Sequence, residues 1–385
     1  MSEFRTIREL CSVVVDCPHS TPKWTANGKI VIRNNNIKHG RIDFSSPSYT
    51  DDEHFAQRIK RAKPQPGDII ITREAPIGDV GMIPENTECC LGQRMVLLRA
   101  NQSVCDNFYL LYSLQSLYVQ HQISWSEGTG TTVSNLRIPH LEQIQIPYLP
   151  LEQQAKISSV LRALEEKIEN NRRLNDNLQQ QAMSLYAEMF LNSSDSNVTS
   201  GTLSDIAVIT MGQSPSGSSY NEDGVGEVFY QGRAEFGFRF PKRRLFTTEP
   251  KRMAEAGDVL LSVRAPVGDL NIAYERCCIG RGLGAIHSKT GHSSFILYTM
   301  FALRSQLDVF NGEGTVFGSI NRDALNAIPI DIPPVTEIDQ FEVVAHPIDE
   351  LIRANYEENC RLEAIRDSLL PKLMSGEIDV SAVQL

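Results

Sequence analysis

The chain lacks the constellations on which most enzymes are built. No G-x-x-x-x-G-K-[ST] segment occurs in its 385 residues, which removes ordinary P-loop nucleotide hydrolysis. GRGLGA (280–285) is glycine-rich but misses the G-x-G-x-x-G spacing of a dinucleotide site. Ile332-Pro333-Pro334-Val335 misses the Asn/Asp-Pro-Pro-aromatic pattern that a base methyltransferase places at its target amine, and Glu249-Pro250-Lys251 has no acidic residue suitably placed before it to complete a nuclease. None of the eight cysteines is spaced C-x-x-C; Cys89-Cys90 and Cys277-Cys278 are adjacent pairs, which do not readily turn two thiols onto one tetrahedral metal. The eight histidines form no H-E-x-x-H. No apolar run is long enough to cross a bilayer, and the opening MSEFRTIREL has no signal-peptide core. These absences predict a cytoplasmic protein with reduced, structural thiols, no catalytic residues, no metal site and no membrane partner.

Charge is also scarce where a nucleic-acid partner would want it. The formal net charge is −10, which taken alone argues against DNA. The distribution of that charge points the other way. Residues 1–150 carry 15 basic and 15 acidic side chains, whereas residues 335–385 carry 4 basic and 11 acidic, so −7 of the −10 lies in that last segment. The rest of the chain is near neutral, and a local basic patch remains available to it.

What the chain has is repetition. Residues 151–190 place Ile157, Leu161, Leu164, Ile168, Asn171, Asn175, Leu178, Ala182, Leu185 and Met189 on one heptad seam. A shift of 184 residues returns the pattern as Phe341, Ala345, Ile348, Ile352, Asn355, Asn359, Leu362, Arg366, Leu369 and Leu373, asparagines included. The globular stretches repeat too. GDIIITREAPIGDV (67–80) returns as GDVLLSVRAPVGDL (257–270), and Cys89-Cys90-Leu91-Gly92 as Cys277-Cys278-Ile279-Gly280. Offsets near 184–190 throughout identify an internal duplication.

The division that follows is a first globular domain at 1–150, a long helix at 151–191, a small polar linker at 192–200, a second globular domain at 201–334, a second long helix at 335–376 and a tail at 377–385. The expected fold is α/β (α+β), with the two helices pairing as an antiparallel coiled coil. In that register Asn171 and Asn175 face Asn355 and Asn359, because buried asparagine pairs set register at a cost in stability. Within 335–376 the last helix is expected to start near Pro347, which suits a first helical turn, and to stop around Ser375-Gly376, with Pro371 loosening or kinking its final turn. Residues 107–122 and 295–307 read as helices. About 33 residues at ~1.5 Å each give a rod of ~50 Å, a spacing suited to two readers of a split DNA target.

Recognition chemistry fills the variable loops. Arg, Asn and Gln make bidentate contacts to base edges, and Ser, Thr and Lys hold phosphates. In the first domain the candidates are Arg33, Asn34, Asn35, Lys38, Gln93 and Arg94, with Thr129, Thr131 and Thr132 in a Gly/Thr-rich loop. In the second they are Gln213, Ser214, Tyr220, Gln231, Arg233, Arg239, Lys242, Arg243 and Arg281. Arg73 and Arg264, inside the repeated motif, are expected to serve the fold. MGQSPSGSSYNEDG and VFYQGRAEFGFRFPKRR have no evident counterpart in the first copy.

The twin APIGD/APVGD motifs, the MGQSPSG…Y and QGR segments and the closing LLPKLMSGEIDV (369–380) closely resemble the specificity subunits of type I restriction-modification systems, over essentially the whole chain. The resemblance implies two target-recognition domains, each reading half of a bipartite site in the major groove of double-stranded DNA. It implies helices that dock two modification subunits carrying S-adenosylmethionine, and a restriction subunit that adds ATP- and Mg-dependent translocation and cleavage. No cofactor is expected on this chain. Two other classes stand beside it: a scaffold whose reading domains have degenerated, and an autonomous nuclease or methyltransferase.

Overall fold

Ile69, Ile70 and Ile71 are all fully buried, because their strand is packed on both faces. Ile69 and Ile71 point into a core shared with Val96, Leu98, Tyr109, Leu110 and Leu114, while Ile70 points into a second core with Ile32, Leu91 and Leu97. The repeated GD-strand motif therefore supplies the wall between two layers. The protein is seen here as a computed structural model that describes residues 3–38, 40–125, 135–192, 198–312 and 318–381. It divides into two compact units, Met1–Asn170 with Glu358–Leu385, and Asn171–Glu357.

In the first unit, Cys11–Asp16, Met95–Ala100, Ile69–Thr72 and Val80–Met82 form a four-stranded antiparallel sheet in that order. Behind it, Lys29–Ile32 lies between Ser48–Thr50 and Cys89–Leu91, running parallel to the latter. Glu3–Thr6 pairs with Gln145–Tyr148, and Thr6 opens the next helical turn with a capping box to Glu9. The second unit repeats the plan. Ala207–Met211, Leu283–Ser288, Val259–Ser262 and Leu270–Ile272 make the four-stranded sheet, and Glu227–Tyr230 runs parallel to Cys277–Ile279 behind it.

That parallel pair corrects one reading of the sequence. VFYQGR does have a counterpart in the first copy: it is IVIRNN, since Gly92 N donates to Ile32 O as Gly280 N donates to Tyr230 O. Other boundaries differ as well. The stretch expected as one helix at 107–122 is two, Asn107–Gln115 and Leu117–Trp125, broken where Ser116 is extended and its hydroxyl donates to Ser113 O. Its repeat is likewise Ser293–Ala302 and Arg304–Asp308. Residues 199 and 200 of the expected linker belong to a strand, Thr199–Thr202, paired with Pro329–Ile332; 193–197 lie outside the described residues.

The long helices run Leu151–Tyr186, followed by a π-helical turn at Ala187–Leu191, and Val335–Ser375. The second one therefore begins twelve residues before Pro347, on Ile338, Phe341 and Ala345, which are buried in the core of the second unit. Pro347 and Pro371 are exposed, so the hydrogen bonds they forgo face water and the helix continues through both. Gly376, at φ +74, ends it as expected, with Gly376 N donating to Leu373 O.

Within each unit the two helices run antiparallel. In the first, Lys167 meets Glu358 at 3.1 Å, and Leu373 packs into the core that holds Ile157 and Leu161. In the second, Asn355 Nδ2 donates to Asn175 Oδ1 at 2.8 Å, and Tyr186 meets Phe341 at 5.6 Å between ring centroids. Tyr186 rather than Leu185 fills the seam there, where it joins Phe190, Phe295 and Phe341 in an aromatic cluster. Asn171 and Asn359 are also buried.

Candidate nucleic-acid interface

Each unit gathers three turns at one end of its sheets. In the first they are residues 17–19, 33–35 and 92–94. Cys17 N donates to Met95 O, Gly92 N donates to Ile32 O, and the Gln93 side chain donates to His19 O. In the second they are 212–214, 231–233 and 280–282. Gly212 N donates to Leu283 O, Gln213 N to Ile279 O, Gly282 N to Gln231 O, and Arg281 N to Ser214 Oγ. Candidates that lie up to 70 residues apart in sequence thus share one surface in each unit.

Close backbone approach builds these faces. A Cβ on Gly280 would stand 2.8 Å from Gln231 Cα, and one on Gly212 would stand 2.1 Å from Gly280 O. Only glycine permits that spacing. In the first unit the strut is Arg58, buried at 6% exposure, whose guanidinium donates to the carbonyls of Leu91, Gly92, Pro18 and Ser20 at 2.8–3.2 Å. Burial holds its pKa below the usual arginine value. In the sequence Arg58 opens a basic run with Lys60, Arg61 and Lys63, and nothing in its neighbours marks it as internal.

The equivalent positions carry different chemistry. Arg33 of the first unit stands where the second has Gln231, and Gln93 where it has Arg281. The motif alignment also sets Arg73 against Val263 and Glu74 against Arg264. Arg73 is buried and ion-paired with Asp16 at 2.7 Å, with further bonds to Leu136 O and Asn135. Arg73 therefore does serve the fold, whereas Arg264 is exposed and takes no such role; Val263 and Met211 replace the ion pair in the second unit. Glu74 instead accepts from Asn135 and pairs with Arg94 at 3.3 Å.

The remaining candidates divide by what already holds them. Arg33 lies over the ring of Trp24 at 5.2 Å, with the indole 46% exposed; Trp24 was not singled out from sequence, although it is one of only two tryptophans. Asn34 donates to Glu74 O at 2.7 Å, and its buried Oδ1 has no partner among the described residues. Asn35 is exposed. Lys38 pairs with Asp43 at 2.6 Å, and that lysine, with Ser45, holds the Asp43 carboxyl far below the usual carboxylate range. Arg94 sits at φ +64, a left-handed conformation costly for any residue with a Cβ. Thr129, Thr131 and Thr132 lie outside the described residues.

In the second unit, Arg233 pairs with Asp269 and Arg243 with Glu275, while Tyr220 donates its hydroxyl to Pro215 O at 3.0 Å. Gln213, Gln231, Lys242, Arg264 and Arg281 are exposed. Among the described residues, the charged groups of Lys242, Arg264 and Arg281 have no ion-pair partner; Arg281 stands on the turn 280–282 and Arg264 follows Val263, whose N donates to Gly282 O, so this face carries uncompensated positive charge. Arg239 is a correction. It is 3% exposed, bonded to Asp349 at 3.1 Å and Tyr298 at 3.4 Å, and reaches no surface from which DNA could be touched.

Among the described residues no helix is long and apolar enough to cross a membrane. Comparison with known proteins agrees with the duplicated architecture. The chain is 28% identical over 400 residues to a Methanocaldococcus jannaschii protein provisionally assigned as the MjaX type I restriction enzyme specificity subunit, covering 98% of this chain and 94% of that one. It is 24% identical over 346 residues to the MjaIX specificity subunit of the same organism, covering 82% and 78%. The fold matches that of the S subunit of a type I restriction-modification system from M. genitalium, with a TM-score of 0.59, 19% identity, and 97% and 96% of the two chains covered. The profile described as "Type I restriction modification DNA specificity domain" matches residues 3–180 and again 195–359, so the chain belongs to that family and carries its domain twice.

Proposed function

We propose that this chain is the non-catalytic DNA-recognition subunit of a type I restriction-modification complex in the cytoplasm. Each unit reads one half of a split site in the major groove, through the three turns at the end of its sheets. One observation carries this reading: two units share a backbone scaffold, yet present different side chains at equivalent points of one exposed face. Arg33 against Gln231, Gln93 against Arg281 and the half-buried Glu74 against the exposed Arg264 change the donors and acceptors available to base edges, and such changes would suit two different half-sites. The long helices act as spacer and as the docking surface for two modification subunits, which bring S-adenosylmethionine and methylate adenine; restriction subunits add ATP- and Mg-dependent translocation and cleavage. The relatives' names support this assignment of partners.

The test is binding by the chain with its modification partner to a randomised split-target library, at several salt concentrations. The expected result is one enriched bipartite sequence, with a salt slope set by the phosphates contacted. Equal binding to selected and scrambled DNA would reduce the protein to a scaffold with degenerate reading domains. Turnover by the isolated chain would refute the non-catalytic assignment.

A further inference from the structure

Arg239 is buried for a reason that recurs. In the second unit its guanidinium contacts the Asp349 carboxylate at 3.1 Å and the Tyr298 hydroxyl at 3.4 Å, and that hydroxyl donates to Asp349 at 2.8 Å. Asp349 belongs to a long helix; Arg239 and Tyr298 belong to the globular part. In the first unit Arg41 donates to Glu169 at 2.6 Å and to the Glu165 carbonyl at 3.0 Å, while the Tyr112 hydroxyl donates to the Glu165 carboxylate at 3.1 Å. Glu165 and Asp349 are related by the 184-residue shift of the helices, and Tyr112 and Tyr298 by 186. Both copies thus keep a lock, a phenol–carboxylate hydrogen bond to the long helix with an arginine–carboxylate pair beside it, although Arg41 reaches Glu169 and the Glu165 carbonyl where Arg239 reaches Asp349 itself.

Both arginines lie a few residues beyond a reading turn and are joined to it rigidly. Asn36 closes the first connection, accepting from Arg33 N at 2.9 Å and donating to Asp43 O at 3.0 Å. In the second, Asn271 accepts from Gly237 N at 3.1 Å and donates to Gly237 O at 3.0 Å, while Lys242 N donates to Glu235 O. A movement of either arginine against its helix is therefore passed to the face that carries Arg33 or Gln231. The two locks differ in exposure. The Arg239 side chain is 3% exposed and Asp349 14%, against 39% for Arg41 and 29% for Glu169.

We infer that Arg41 with Glu169, Tyr112 and Glu165, and Arg239 with Tyr298 and Asp349, are positioning residues that fix each reading face to its helix, and that the Arg41–Glu169 pair is the salt-sensitive one. Screening weakens an ion pair open to solvent and leaves a buried one largely intact. The inference rests on the proposed reading of split DNA, and its readout is spacer discrimination: the affinity for the native split site divided by that for sites one base pair longer or shorter. Taking this ratio at one salt concentration cancels the phosphate dependence common to all three DNAs.

The experiment uses the full chain with its modification partner and the variants Arg41→Gln and Tyr298→Phe, the latter removing a single hydroxyl. Arg41→Gln is expected to lower the ratio by about tenfold at ~0.1 M salt, and wild type to fall toward the same value at ~0.5 M. Tyr298→Phe is expected to lower the ratio equally at both salts. Variants that lose thermal stability yet keep the wild-type ratio at both salts would overturn the inference and leave the locks merely structural. If wild type does not prefer the split site over scrambled DNA, the functional reading itself fails, which is a separate outcome visible before any variant is tested.

Discussion

Leucine at Asn175 tests what the buried amide pair contributes, and its cost follows from the hydrogen bonds. Asn355 Nδ2 donates to Asn175 Oδ1 at 2.8 Å and Asn175 Nδ2 donates to Ile352 O at 3.3 Å, with the two residues 8% and 4% exposed. Asn175→Leu removes the acceptor and strands the Asn355 amide, a penalty of ~1–3 kcal/mol. Burying the leucine returns ~1.5–3 kcal/mol, less ~1–3 kcal/mol for forcing a branched side chain into a seam sized for an amide. The expected net is a loss of ~1–2 kcal/mol. Asn355→Leu should cost less, ~1 kcal/mol, since the Asn175 amide keeps Ile352 O and only its oxygen is orphaned. With both replaced there is no orphan, and two facing leucines at a coiled-coil seam should leave the protein more stable than wild type by ~1–3 kcal/mol. The double-mutant cycle should thus show a coupling of at least ~2 kcal/mol. Urea unfolding of the full chain, followed by helical circular dichroism, measures all four corners. Single losses that simply add, within ~0.5 kcal/mol, would refute the argument that the amides satisfy one another.

Three further outcomes follow from the geometry. Arg73→Val should destabilise the first unit by ~1–3 kcal/mol by leaving the half-buried Asp16 carboxylate, 19% exposed, with only His19 beside it, whereas Arg73→Val with Asp16→Met, the pair found at the equivalent place in the second unit, should recover most of that in the same unfolding assay. Arg281→Ala should lower affinity for the split site by about 10–100-fold with little change in thermal midpoint, as measured by a binding titration; an unchanged affinity would remove this turn from the reading face. Alkaline pH should destabilise the whole chain. Burial pushes the thiols of Cys89 and Cys277 up to about 12 and that of Cys90 up to about 11, and raises the phenols of Tyr109 and Tyr298. These folded values exceed the unfolded ones, near 8.5 for a thiol and 10 for a phenol, so the associated stability is fully present below about pH 8 and is lost as pH rises toward 12, each group subtracting about 1.4 kcal/mol per pH unit in its window. A midpoint of urea unfolding that holds constant from pH 8 to 11 would contradict it.

The duplication and the helical seam were legible because they are periodic: an apolar spacing of four and three, and offsets near 184, survive without knowledge of any contact. The reading turns were half legible. Gln93, Gln231 and Arg281 stand out as polar residues next to repeated motifs, but that Arg33 and Gln231 occupy equivalent places depends on a parallel strand pair whose two members are some 50–60 residues apart. Arg239 shows the limit most clearly. In FGFRFPKRR it is one basic residue among four, and its burial is decided by Asp349, 110 positions later. Arg58 is the same case, a surface residue by composition and an internal strut by its four carbonyl acceptors. Pro347 misled in the other direction. It suits a first helical turn, yet the helix begins twelve residues earlier and carries Pro347 on an exposed face, and exposure is not written in the local sequence.

Divergence between the two copies also says which contacts the scaffold requires. The Asp16–Arg73 ion pair became Met211 and Val263, a change that a packed interior tolerates because apolar residues of similar volume replace a buried pair at little cost. The Arg–Tyr–carboxylate locks did not become apolar, although Arg239 is as buried as Arg73. Stability alone would have permitted the same replacement at both places. An apolar contact between a domain and a helix resists separation but only weakly resists rotation, whereas a guanidinium–carboxylate pair beside a phenol–carboxylate hydrogen bond, present in both units, resists both. Retention of the directional contact at the junction, and its loss inside the sheet, is what is expected if the angle of each reading face on its helix matters to the target that is read.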